Sequence, residues 1–296
     1  MTNTHLPVLL QESVEGLALK KGAVILDGTV GAGGHARALS EHIGKRGVLV
    51  GLDRDKRMLA YARKELTDAP CTIILEHANY KDAPRILARY KLERLDGALL
   101  DLGFNTIQVE DPRRGFSFLR EGPLLMAYDA KDEGKLIALI AQASEEELTR
   151  LLREYGEERF ARPIAREIVS ARKEKPIVRT KELAGIILRA VPVWYRKRNI
   201  HPATKTFQAF RIVANDELGA LSLGLEGIFD RLASRGRCAV ISFHSLEDRI
   251  VKNFFRKKVS NKEGTLVTKK PILPSRTEIK NNPRARSAKL RIIQKL

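Results

Sequence analysis

Short apolar runs alternate with helix-like segments in the first 103 residues of the chain. Runs that are apolar throughout are typical of strands buried on both faces, and four such runs occur at 23–27, 48–53, 71–75 and 98–102. Between them, segments 36–43, 57–66 and 81–90 have helical composition or spacing. Strands separated by helices predict a parallel sheet with right-handed crossovers, and hence an α/β fold.

The pattern changes further along the chain. From Lys135 to about Tyr195 the periodicity is helical only. Ser144 and Glu147 have the spacing of a capping box at a helix start, and Pro163 is expected to begin another helix at its first position. A third helix is predicted over 180–188.

Strand character returns near the end of the chain. The run 237–243 predicts a strand, 246–255 a helix, and 287–294 a late strand, with a polar loop around 260–284. We therefore predict a sheet domain over 1–133 and 206–296, interrupted by an all-α insertion over 134–205.

Length and composition restrict the class of protein. A chain of 296 residues that is 43% hydrophobic is too apolar for wholesale disorder, and no apolar run reaches the roughly 20 residues of a membrane span. Cys71 and Cys238 are far apart, so neither a disulfide scaffold nor a cysteine-ligated zinc site is expected. The first residues lack the layout of a signal peptide, and we expect a cytoplasmic protein.

Positive charge is in large excess. The chain has 54 Lys+Arg and 36 Asp+Glu, a formal net charge of +18. Residues 251–296 alone hold 14 basic and two acidic residues. Such a surplus favours a nucleic-acid partner, although a solvated basic tail is the alternative.

A glycine-rich turn follows the first predicted strand. Residues 27–35 read Asp-Gly-Thr-Val-Gly-Ala-Gly-Gly-His, and Asp53 ends the next strand. Glycines let backbone N–H groups approach a ligand, and a carboxylate at that spacing can accept hydrogen bonds from ribose hydroxyls. The pattern predicts a nucleoside-containing cofactor, but it also fits G-x-G-x-x-G/A, so NAD stays open, as does a turn that binds nothing. His35 fits a direct contact or a supporting position in the turn equally well.

A second candidate site follows the fourth predicted strand. Asp101 ends this strand, and Asn105 and Gln108 come shortly after it. Ligands of open parallel sheets bind outside the carboxyl ends of the strands, so Asp101 could receive a substrate amine there. The alternative is an acid that caps a helix or a turn.

Ten motifs spread along the chain resemble those of the bacterial MraW family, the ribosomal RNA small subunit methyltransferases H. They share their order along the sequence, and they lie at 5–12, 27–35, 53–55, 79–80, 101–103, 114–118, 155–157, 201–211, 243–249 and 282–291. The chain departs from the family's pattern at Phe104-Asn105-Thr106 and at 121–129, where an acid and an arginine are missing.

The resemblance implies a class I S-adenosylmethionine (SAM)-dependent methyltransferase, a Rossmann-like, mostly parallel sheet with an inserted helical domain. It implies methylation of cytosine N4 in the 16S rRNA of the small ribosomal subunit. The cofactor contacts that it implies are Gly33, Gly34, His35, Asp53, Tyr80, Asp101 and Gln108. Tyr80 and Gln108 come from the resemblance alone.

Methyl transfer to an amine mainly requires alignment, and we expect no metal. The N4 lone pair is delocalised into the cytosine ring, so acceptors for its N–H groups would help to draw it out. Asp101 and the side-chain carbonyl of Asn105 are the candidates for this catalytic role.

Two segments of the predicted insertion and its border are candidates for RNA contacts. His201, Lys205 and Arg211 form one set, and Trp194, Arg196 and Arg198 interleave an aromatic residue with cations. The structural alternatives are a helix start with Phe207 and Phe210 facing the core, and a partly buried tryptophan at a hinge.

Three functions are thus compared. A SAM-dependent rRNA methyltransferase is favoured, with 16S rRNA as partner, no membrane association and a homodimer left open. An NAD(P)-dependent oxidoreductase could use the same glycine turn, and a non-catalytic ribosome-assembly factor could keep the fold and the RNA binding.

Overall fold

The computed structural model describes residues 6–296, so His5, with which the first family motif begins, lies outside the described residues. The chain divides into two compact units. We call 104–217 the helical unit, and the described residues before and after it, 6–103 and 218–296, the sheet unit.

The sheet unit contains one seven-stranded sheet in the described residues. Its strands are β1 Val24–Asp27, β2 Val48–Asp53, β3 Thr72–His77, β4 Leu95–Asp101, β5 Leu232–Ser242, β6 Gly264–Leu266 and β7 Lys289–Lys295. Their order in the sheet is β3-β2-β1-β4-β5-β7-β6. All neighbouring pairs among the five strands β1 to β5 are parallel, whereas β7 runs antiparallel to both β5 and β6. The predicted α/β fold with a mostly parallel sheet is confirmed.

The described residues form fourteen α-helices. They are α1 Leu10–Leu17, α2 Gly34–Ile43, α3 Lys56–Glu65, α4 Ala83–Arg89, α5 Thr106–Glu110, α6 Lys135–Gln142, α7 Glu145–Gly156, α8 Ala161–Glu174, α9 Thr180–Ala190, α10 Val193–Arg196, α11 Ala203–Asn215, α12 Glu217–Arg231, α13 Ser245–Ser260 and α14 Arg276–Asn281. No helix within 6–296 is long and apolar enough to cross a membrane.

Apolar side chains from both faces of the sheet build two cores in the sheet unit. Ile25 and Leu49 belong to one core, and Leu26 and Val50 to the other. Neighbouring residues of a strand point to opposite faces, so strands that are apolar throughout serve both cores. This arrangement leaves the strand ends as the places where polar side chains can gather.

The helical unit has a core of its own and extends beyond the predicted insertion over 134–205. Phe116 and Leu124 before that range, and Phe207 and Phe210 after it, lie in the same core as helices α6–α9. The unit therefore begins at Phe104 and ends at Glu217. The segment 104–133 lacks a long helical period, and periodicity alone did not assign it to this unit.

Local predictions had mixed outcomes. Ser144 Oγ accepts a hydrogen bond from the Glu147 N–H at 3.1 Å, as a helix cap should. The position of Pro163 was wrong, because α8 starts at Ala161 and Pro163 is its third residue. The first three N–H groups of a helix have no intrahelical partner, so proline is tolerated there too. The polar loop at 260–284 was also wrong in part, since β6 and α14 lie within it.

Candidate functional site

Three aspartates end three adjacent strands of the sheet unit. Asp27 is the last residue of β1, Asp53 of β2 and Asp101 of β4. Because these strands are parallel neighbours, their carboxyl ends lie at one edge of the sheet. Open parallel sheets bind ligands outside this edge.

The glycine turn is joined to Asp53 by its backbone. The Gly31 N–H donates to Asp53 Oδ2 at 2.9 Å, and the Asp55 N–H donates to Oδ1 at 2.8 Å. Gly33 directly precedes α2 and has a backbone φ of +100°, which residues other than glycine rarely adopt. Gly33, at the N-cap position, has no side chain with which to cap α2, so the first N–H groups of Gly34 and His35 suit an anionic group of a ligand.

His35 is a buried link between two segments of the sheet unit. Its Nε2 lies 3.0 Å from the Val8 carbonyl oxygen, and its Nδ1 lies 3.6 Å from Asp101 Oδ2. A carbonyl can only accept, so Nε2 carries a proton and donates to Val8. The side chain thus supports both the turn and Asp101, while a direct cofactor contact of His35 stays a prediction.

Asp27 and Asp101 are buried acids, each with one oxygen that has no hydrogen-bond partner among the described residues. Burial raises the pKa of Asp27 to about 7, against a hydrogen bond from the Thr29 N–H that lowers it and with the nearby charge of Asp53 raising it further. Burial also raises the pKa of Asp101 well above its usual range, and the charges of Asp27 and Glu247 add to this effect. A cation placed beside these oxygens would be matched by them.

Tyr80 lies against two glycines of the sheet unit. A Cβ atom at Gly28 would come within 2.9 Å of the Tyr80 Cβ, and one at Gly224 within 2.5 Å of the ring carbon Cδ2. Glycine at both positions is therefore needed for the tyrosine to sit where it does. Its contact with the cofactor stays a prediction from the resemblance.

Asn105 and Gln108 belong to the helical unit, where they close a reciprocal cap of α5. Asn105 Oδ1 accepts from the Gln108 N–H at 2.9 Å, and Gln108 Oε1 accepts from the Asn105 N–H at 3.1 Å. Asn105, and not Asp101, therefore caps the helix α5 that follows β4. An amide oxygen has two lone pairs, so a substrate contact of Asn105 stays a prediction, as does a cofactor contact of Gln108.

Arg211 lies in a buried cluster of the helical unit. Its Nε and Nη2 donate to Glu217 Oε1 and Oε2 at 2.8 and 2.9 Å. The guanidinium carbon lies 4.6 Å from the centroid of the Phe104 ring, and Phe104 is stacked in turn with Phe116 at 6.0 Å. Phe104, which departs from the family's pattern, thus packs on an arginine whose charge is already matched by Glu217.

His201 and Lys205 lie at the start of α11. His201 stacks on Phe118 with ring centroids 4.6 Å apart, and burial lowers the pKa of its imidazole. Lys205 Nζ donates to the Glu157 carbonyl at 2.7 Å. Phe207 and Phe210 of α11 are buried, as the alternative of a helix start with core-facing phenylalanines predicted. RNA contacts of this segment stay a prediction.

Trp194, Arg196 and Arg198 lie in or directly after α10, and all three are exposed. Trp194 is 54% exposed, so it is less buried than the hinge alternative supposed. The sequence missed its neighbours Arg159 and Phe160, which are distant along the chain. It also left Asp27 out of the site residues, although Asp27 ends an apolar strand just as Asp53 and Asp101 do.

The fold, the glycine turn and the strand-end acids together are typical of α/β proteins that bind a nucleoside-containing ligand at this edge of the sheet. The model of the MraW methylase family matches residues 2–296. A Ribosomal RNA small subunit methyltransferase H from Syntrophotalea carbinolica is 45% identical over 99% of this chain and 98% of its own length. One from Carboxydothermus hydrogenoformans is 43% identical over 100% of this chain and 99% of its own length.

The chain belongs to the MraW methylase family, which confirms the resemblance. An rRNA methylase structure from Streptococcus thermophilus is 11% identical, covers 99% of both chains and has a TM-score of 0.46. That likeness is too distant to add to the assignment, which rests on the family model and the curated relatives.

Proposed function

We propose that this chain transfers the methyl group of SAM to N4 of a cytidine in the 16S rRNA of the small ribosomal subunit. Membership of a methylase family and relatives named as rRNA small subunit methyltransferases support the proposal. The observation that carries it is the pair of buried acids, Asp27 and Asp101, at the carboxyl edge of the sheet, each with one oxygen that has no hydrogen-bond partner within 6–296.

The residues at this edge suit SAM better than NAD. SAM carries an ammonium and a sulfonium, whose positive charges match Asp27 and Asp101, and a carboxylate that suits the uncapped start of α2. Asp53 can accept hydrogen bonds from ribose hydroxyls. A pyrophosphate would instead bring negative charge next to three aspartates. When bound, SAM supplies a methyl group activated by a good leaving group.

The proposed cofactor contacts extend those of the strand ends. They are Gly33, Gly34, His35, Asp53, Tyr80, Asp101 and Gln108. Two of these residues are held by the glycine turn: the Gly31 N–H donates to Asp53, and His35 lies beside Asp101. The glycine turn thus positions Asp53 and Asp101 before any ligand binds. Less conformational entropy is then lost on binding.

Asp101 is the proposed catalytic residue. Its carboxylate would accept a hydrogen bond from the cytosine amine and then the proton that the amine loses when the new C–N bond forms. Burial makes Asp101 a stronger base than an exposed aspartate. Asn105, whose side-chain carbonyl accepts from the Gln108 N–H just after β4, is the proposed second acceptor.

Methyl transfer to small subunits is the direct test. Small ribosomal subunits from cells lacking this chain would be incubated with the purified protein and radiolabelled SAM, and nucleosides would then be analysed by mass spectrometry. We expect N4-methylcytidine from 16S rRNA. Asp101→Asn at saturating SAM should be slower by at least about a hundredfold, whereas Asp96→Asn, on the same strand but exposed, should retain the rate.

The methylation assay and calorimetric binding of SAM and NAD together distinguish the alternatives. SAM binding without transfer would indicate a non-catalytic assembly factor. Calorimetric binding of NAD but not of SAM would indicate an oxidoreductase. Full turnover of Asp101→Asn would exclude Asp101 from the chemistry even if the methyl transfer itself were found.

A further inference from the structure

An exposed group of aromatic and basic side chains lies on the helical unit. We call Arg159, Phe160, Trp194, Tyr195 and Arg198 the Trp194 platform. Trp194 is 54% exposed, whereas Tyr195 beside it is buried. A tryptophan with so much exposed apolar surface is a candidate contact for another molecule.

The rings of the platform pack edge to face. Phe160 meets Trp194 at 5.7 Å and Tyr195 at 4.7 Å between ring centroids, with interplanar angles of 63° and 67°. Arg159 lies over Trp194 at 5.7 Å, and Arg198 lies over Tyr195 at 5.2 Å. The tryptophan is therefore held by neighbours on two sides while much of its surface remains accessible.

A buried acid keeps the platform in place. Glu158 is 2% exposed, and its carboxylate accepts from the Tyr195 hydroxyl at 3.1 and 3.0 Å and from the Phe160 N–H at 2.8 Å. One carboxylate thus joins the segment that carries Phe160 to the segment that carries Trp194. A preformed aromatic surface loses little conformational entropy on binding.

The exposed charged residues directly after Trp194 along the chain are basic, whereas Arg189 and Arg211 further away are paired with Glu167 and Glu217. Between Glu182 and Asp216 the chain has six basic residues, namely Arg189, Arg196, Lys197, Arg198, Lys205 and Arg211, and no acidic residue. Arg196, Lys197 and Arg198 are exposed. A neutral apolar partner would gain nothing from these cations, whereas a phosphate backbone would be attracted by them.

We propose that the Trp194 platform binds a single-stranded segment of the RNA substrate, with a base stacked on the Trp194 indole and phosphates held by the arginines around it. Aromatic stacking next to cations is how single-stranded nucleic acid is commonly bound. The inference rests on the proposed rRNA substrate. It adds a second binding surface, the Trp194 platform, which includes none of the proposed cofactor contacts.

Trp194 is the only tryptophan of the chain, so fluorescence excited selectively at tryptophan, and not at the six tyrosines, reports on the platform alone. A short single-stranded oligouridine, titrated without SAM, should quench the emission, and a duplex RNA of equal length should quench it less. In fluorescence anisotropy with a labelled oligouridine, Trp194→Ala should bind about tenfold more weakly, and Trp194→Phe should retain most of the affinity. Tyr61→Ala, which removes an exposed aromatic of the sheet unit, should bind as the parent does.

The arginine part of the platform has its own readout. Arg159→Gln should reduce the slope of log K against log salt by about 0.7, the value for one phosphate contact to a single strand. Arg150→Gln, on the same unit but paired with Glu154, should change it less. Circular dichroism of each variant checks that the fold is retained.

Three results would overturn the inference. They are unchanged emission on titration, equal affinity of Trp194→Ala and its parent, and an emission change that follows protein concentration instead of RNA, which would assign the platform to a second copy of the chain. Methylation of small subunits that persists in any of these cases would leave the proposed function standing. Quenching by RNA without methylation of small subunits would support the Trp194 platform as an RNA-binding surface and contradict the proposed function.

Discussion

Replacing Asp27 by asparagine should raise the stability of the protein relative to its parent as the pH rises from 4 to 8. The folded state raises the pKa of this carboxyl from 3.8 to about 7, chiefly through burial. A group with a raised pKa favours folding in its protonated form, so its contribution is fully present below pH 3.8 and is lost as the pH rises through 7. Asparagine has no proton to lose and avoids that loss.

The magnitude follows from the pKa difference. One pKa unit corresponds to about 1.4 kcal/mol, so the ionised carboxyl lowers the free energy of unfolding by about 4 kcal/mol at pH 8 relative to pH 4. The asparagine oxygen can still accept from the Thr29 N–H, now 3.1 Å from Asp27 Oδ1. Its NH2 group brings buried donors, at a pH-independent cost of about 1–3 kcal/mol. The slope with pH is thus the informative quantity.

Urea unfolding of both proteins between pH 4 and pH 8 measures this slope, because groups far from position 27 cancel in the difference. Asp248→Asn is a control of opposite sign. Burial alone would raise the pKa of Asp248, but Arg291 and Lys289 lower it, so that variant should lose stability at neutral pH and less of it in acid. A difference for Asp27→Asn that stays flat, or grows towards low pH, would refute the reasoning.

Three further outcomes are expected. SAM binding by the parent protein should be about tenfold weaker at pH 6 than at pH 8, because a site with a pKa of about 7 is ionised tenfold less at the lower pH, and isothermal calorimetry measures this. Gly33→Ala should lower the free energy of unfolding by about 1–3 kcal/mol in urea titrations, because φ is +100° there. Glu217→Gln should cost about 3 kcal/mol in the same titrations by leaving the buried Arg211 without its carboxylate, whereas Glu154→Gln, in an exposed pair, should cost less than about 1 kcal/mol.

The alternation of apolar runs predicted the sheet well. All four strands expected in the first 103 residues are present, and their ends lie within three residues of the predicted ones. Continuous apolar strands leave little choice, because only a sheet covered on both faces buries them. The bounds of the helical unit were less predictable, since a segment such as 104–133, with only one short α-helix, joins a core through tertiary contacts that have no period.

The candidate site shows the same division. The acids that end β2 and β4 could be predicted from their position alone, because strand polarity decides which edge they occupy. Their partners could not. Arg211 has the residue type of an RNA contact, but it is buried against Glu217, and only the fold shows that its charge is already matched. Arg159 and Phe160 join Trp194 from another helix start, which no local pattern reveals.

Burial of two acids at the same edge of the sheet lowers the stability of the protein at neutral pH, and under the proposed function the binding of SAM offsets this cost. A cation between them favours their ionised forms and so recovers the free energy that burial costs. Stability without ligand and affinity for the cation should therefore change in opposite directions at Asp27. If Asp27→Asn raised the melting temperature at pH 8 and also bound SAM more tightly, the positive charge of SAM would not be what this acid recognises.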